Sequence, residues 1–66
     1  MNNITLTRTP DAWVAEFTGS LYAECLRSFG TNVIATGFAA GAEPTDVLAE
    51  MSKLNPDALV EIAPIQ

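Results

Sequence analysis

Residues 4–17, ITLTRTPDAWVAEF, alternate apolar and polar side chains on both sides of a Pro-Asp step. Strict alternation is the period of a half-buried β-strand, and two such runs around a turn pair read as a hairpin. With Pro10 and Asp11 as the turn, Arg8 faces Trp13, Leu6 faces Ala15 and Ile4 faces Phe17. This register gathers the large apolar groups on one face, and a slip of one residue would scatter them. Thr5, Thr7 and Thr9 of the first strand and Val14 and Glu16 of the second then share the other face.

The period changes after Gly19-Ser20. Leu21, Tyr22, Cys25, Leu26 and Phe29 fall on one helical stripe, with Ser20 as N-cap and Gly30 where a left-handed C-cap belongs. Residues 31–42, TNVIATGFAAGA, carry the weakest pattern and read as a short strand, 33–36, or as an extended connection. EPTDVLAEMSKLNP is the clearest helix. Pro44 suits its first position, Asp46 its first turn and Lys53 its last, while Val47, Leu48, Met51 and Leu54 make its stripe. Asn55 suits a left-handed cap, and Pro56 forbids continuation. ALVEIA then alternates as a last strand.

The pattern predicts one α+β domain over residues 1–66, in the order β-β-α-α-β. The expected sheet is small, three-stranded and mainly antiparallel, with both helices packed on one face. A crossover would place the last strand beside the first and antiparallel to it, giving the spatial order 2-1-3. The expected core is Ile4, Leu6, Trp13, Phe17, Leu21, Cys25, Leu26, Phe29, Leu48, Met51, Leu54, Val60 and Ile62.

Size and charge sharpen this picture. A chain of 66 residues buries only about 60% of its unfolded surface, and such domains usually need a disulfide, a metal or a partner subunit. Cys25 is the only cysteine and there is no histidine, so an internal disulfide and the usual zinc sites are excluded. Self-association or unusually good packing remains. The net charge of −5, with three basic residues, provides no basic face for nucleic acid or anionic membranes. No basic and apolar leader and no membrane-length apolar run is present, so a cytoplasmic location is expected.

Candidate chemistry is sparse. Cys25 lacks a histidine base and sits on an apolar stripe, which reads as a buried, inert thiol. Glu16 and Glu61 are expected to flank the threonine row at roughly 9–10 Å, a separation at which two carboxylates can work around a water, though a flat sheet face is a poor substrate cleft. Arg8 opposite Trp13 reads as a cation–π pair sealing the hairpin end. Glu43, Asp46, Glu50 and Asp57 have no calcium-loop spacing and read as a solvated helix face. Gly37 and Gly41 lack the Gly-Lys-Ser/Thr of a phosphate loop. No cofactor is implied.

Val14, Leu59, Ile34, Phe38 and Ile65 find no place in a single-layer core and form the candidate contact surface. The expected function is an acidic protein-interaction module, self-associating as a homodimer and not an enzyme. The alternative is an acidic decoy that occupies a basic, nucleic-acid-binding site on a partner. A carboxylate-based enzyme on the open sheet face is a third reading.

The hairpin, and the AWVAEF strand in particular, resembles the small domain of HicB-type antitoxins, which places a helix over an antiparallel sheet. The Pro-Gly-Cys segment that leads into the helix in that family is absent here. The stretch FGT…FAAGAEPTDVLAEMSKLNPDALVEI is similar to short proteins of bacteria and their phages without assigned activity. Neither resemblance carries a functional residue.

Overall fold

The fold is taken from a computed structural model, which describes residues 2–63. The chain runs β1 (Asn2–Arg8), β2 (Ala12–Thr18), α1 (Ser20–Phe29), β3 (Val33–Ala39), α2 (Pro44–Leu54) and β4 (Ala58–Ile62). The expected hairpin register is the observed one: Ile4 opposite Phe17, Leu6 opposite Ala15, Arg8 opposite Trp13. Pro10-Asp11 is the turn pair, and neither residue has positive φ, so the turn is not of the primed type that hairpins favour. Thr9 compensates. Its N–H donates to the Ala12 carbonyl at 2.9 Å. Its hydroxyl donates to the same carbonyl at 2.6 Å and accepts from the Ala12 N–H at 3.1 Å.

The sheet has four strands, not three, in the order β3-β2-β1-β4. Residues 31–42 hold the missing one, which pairs antiparallel with β2. A fourth strand also corrects the direction of the last. Because β3 runs antiparallel to β2, it runs parallel to β1, and β4 returns in that same sense to pair parallel with β1. The sheet is mixed. A parallel return needs a crossover long enough to traverse the sheet. The eleven residues of α2 span about 16 Å, against about 14 Å between the outer strands of four.

The β2–β3 ladder is irregular. Ala12 pairs with Ala39 and Val14 with Ala35, so Thr36, Gly37 and Phe38 stand opposite Trp13 alone. Gly37 takes φ 89°, where a side chain would be strained. The Thr36 hydroxyl donates to the Trp13 carbonyl at 2.9 Å and accepts from the Phe38 N–H at 3.2 Å, holding the bulge.

The buried cluster is Ile4, Leu6, Trp13, Ala15, Val47 and Met51, with Phe17, Phe38, Leu48, Val60 and Ile62 packed against it. Five expected core residues lie outside this cluster: Leu21 and Cys25 of α1, and Leu26, Phe29 and Leu54, which are 39%, 67% and 65% exposed. In α1 only Cys25 is buried. Leu21 is half-buried and lines a cavity of about 210 Å³ with Asn2 and with Leu54 of α2. Asn2 shares its strand face with Ile4 and Leu6, so both helices meet the sheet from that side.

Two helix ends differ from expectation. Ser20 is the first helical residue of α1 and Gly19, at φ 76°, is its cap. Asn55 is not left-handed; it closes α2 by donating its backbone and side-chain N–H groups to the Met51 carbonyl, both at 3.0 Å. Gly30 is the expected left-handed cap, at φ 75°.

Candidate functional site: the open sheet face and its edges

With the helices on one side, the alternate residues of every strand face outward on the other. Register aligns them in rows. Thr5 stands between Glu16 and Glu61, Val33 is opposite Glu16, Thr7 and Ala35 flank Val14, and Asn3 stands between Thr18 and Leu59. Leu59 is 50% and Val33 44% exposed, and Thr7, Glu16, Ala35 and Glu61 are exposed too. The surface is threonine, valine and alanine with two carboxylates. Arg8 is not on it.

The candidate contact residues divide between the two faces. Val14 and Leu59 share the open face, two strands apart. Ile34, paired with Ala15, points to the helix side, and Phe38 packs against the core, so neither joins them. The reason is β3: once it is a strand, parity decides the side of each residue, and the bulge hands Phe38 to the core. Ile65 lies outside the described residues. Val33 and Ala35 are the residues that sequence reasoning missed; the signal was the alternation of VIAT, which needs the pairing to β2 to be read.

Glu16 and Glu61 flank Thr5 as expected, two strand spacings or about 9.6 Å apart. Both are exposed, and the cavity lined by Leu21 and Leu54 lies on the other side of the sheet. Among the described residues no three His, Cys, Asp or Glu side chains come together as a metal site, and no helix is long and apolar enough to cross a membrane.

Arg8 and Trp13 form the expected pair. The guanidinium carbon lies 4.8 Å from the ring centroid. Arg8 Nη2 and Trp13 Nε1 both donate to the Ala42 carbonyl, at 3.1 and 3.2 Å. The pair thus ties the hairpin end to the loop before α2, and the buried indole N–H has its partner. Cys25 is buried, which keeps the thiol from solution.

A second apolar surface is Tyr22, Leu26 and Phe29, at i, i+4 and i+7 along α1, all exposed. The stripe read from the sequence is real, but only its Leu21–Cys25 side turns inward. No family model, curated protein or solved structure matches the chain.

Proposed function

We propose that the chain is a small acidic protein-interaction module, acting in the cytoplasm, that self-associates and performs no catalysis. The observation that carries this reading is the open face: a four-stranded surface of threonine, valine and alanine with a half-exposed leucine, backed by a small buried cluster. A contiguous surface of this composition suits a protein contact better than a reaction, which requires converging groups in a recess. The small core gives an independent reason for association.

The face also favours a second reading, the acidic decoy. Glu16 and Glu61 are its only charges among the described residues, and the chain carries −5 overall. Such a surface would attract a basic protein and lose it as salt screens the charges.

Sedimentation equilibrium over a concentration series tests the first reading. A mass that rises with concentration supports it, and 7.0 kDa throughout refutes self-association. For the decoy, capture of a basic partner that fails above about 0.5 M salt is the expected behaviour; capture unaffected by salt would exclude it.

A further inference from the structure

The two edges of the sheet are built differently. The β3 edge is broken by the bulge at residues 36–38, with Gly37 in a left-handed conformation, which disrupts a straight ladder. The β4 edge has neither bulge nor proline within the strand. The Ala63 N–H donates to the Leu6 carbonyl at 2.8 Å. Alternation along the strand therefore turns the backbone groups of Leu59 and Glu61 toward β1 and those of Val60 and Ile62 outward. The Ala58 N–H is already occupied, by the Asn55 carbonyl at 3.0 Å.

We propose that a second copy of the chain pairs on this edge, β4 antiparallel to β4 about a two-fold axis at Val60, making one eight-stranded sheet. This rests on the self-association reading above and assigns the contact between copies to the β4 edge, leaving the open face for another partner. Charge selects the register. About Val60, Leu59 of each copy stands opposite Glu61 of the other, and Asp57 opposite Ala63. Shifting the axis to Glu61 sets Glu61 against itself. Shifting it to Leu59 sets Asp57 against Glu61 twice. The first alternative places like charges directly across the strand pair, and the second brings Asp57, in the turn just before β4, beside Glu61 of the other copy; both are unfavourable. The Val60 register forms four backbone hydrogen bonds, two between the Val60 residues and two from Ile62 to Ala58. Stacking two open faces would instead bring Glu16 and Glu61 of both copies together with no cation on that face.

Area limits the contact. A standard interface removes about 800 Å² from each partner, nearly a fifth of the 4416 Å² surface of this chain. A five-residue strand edge about 17 Å long offers less. An edge this short places the dimer among weak, transient contacts.

The test is a charge exchange across the pair, read by sedimentation equilibrium with circular dichroism to check the fold. Leu59 is half exposed, so its replacement leaves the core intact. Leu59→Glu should weaken the dimer about tenfold by opposing Glu61 twice. Leu59→Lys should hold or tighten it, and Leu59→Glu with Glu61→Lys should restore it. Equal weakening by Glu and Lys, or no recovery in the double variant, overturns the edge register while leaving self-association standing. A wild-type chain that stays monomeric at about 1 mM overturns both.

Discussion

Val47 and Phe29 hold equivalent places in the sequence, each an apolar residue on a helical stripe, yet their burial is opposite. Val47 is fully buried among Ile4, Leu6, Trp13 and Met51, whereas Phe29 is 67% exposed and Leu26 39%. Val47→Ala removes two methyl groups from a site that cannot easily collapse, at about 0.8 kcal/mol each for transfer plus a cavity term, together about 2–3 kcal/mol. A fully buried Phe→Ala change costs about 3–5 kcal/mol. With only a third of Phe29 covered, its truncation should cost about 1–1.5 kcal/mol, and Leu26→Ala, with about three-fifths of the side chain covered, about 1–3 kcal/mol. A chain this size has roughly 3–10 kcal/mol in all, so Val47→Ala removes a large share while Phe29→Ala does not. Urea unfolding at a few micromolar, where the edge dimer is dissociated, measures both. The expected result is a lower midpoint for Val47→Ala, with an unchanged slope and about twice the effect of Phe29→Ala. If Phe29→Ala costs as much as Val47→Ala, α1 packs more deeply on the sheet than the 67% exposure of Phe29 allows.

Other expectations follow from single residues. Gly37→Ala should cost about 1 kcal/mol through its positive φ alone, since nothing lies within 4 Å of the added carbon; a neutral change in urea melts would mean the bulge relaxes. Arg8→Met keeps the stem but loses the ring and Ala42 contacts, and should lower stability by about 1 kcal/mol; no loss would make the pair ornamental. Cys25 should react with a thiol reagent slowly when folded and quickly in urea, and fast labelling of the native chain would contradict its burial. Val14→Glu, two strands from β4, should leave the edge dimer intact, and a monomeric product would move the self-contact to the open face.

The hairpin was legible to its register because both strands alternate without a break, and the two helices were legible from their stripes and from Pro44 and Gly30. Their depth was not. A stripe shows which side of a helix is apolar, but only the sheet beneath decides how much of it is covered, and α1 covers Leu21 and Cys25 at the expense of Leu26 and Phe29. β3 stayed ambiguous because Gly37 and two alanines weaken strand propensity and the bulge breaks the period of two. That one ambiguity propagates: without β3 the last strand reads as antiparallel instead of parallel, and parity assigns Ile34 and Phe38 no side. Val14 and Leu59 fall on one face by parity, which does not depend on strand direction.

Self-association is the claim on which the rest of the functional reading stands, and the β4 edge is its proposed contact. Sedimentation equilibrium of the unmodified chain from about 5 μM to 1 mM, a range spanning the weak-interface regime, addresses it most directly. The apparent mass should climb from 7.0 kDa toward twice that value. A single 7.0 kDa species across the whole range would contradict it.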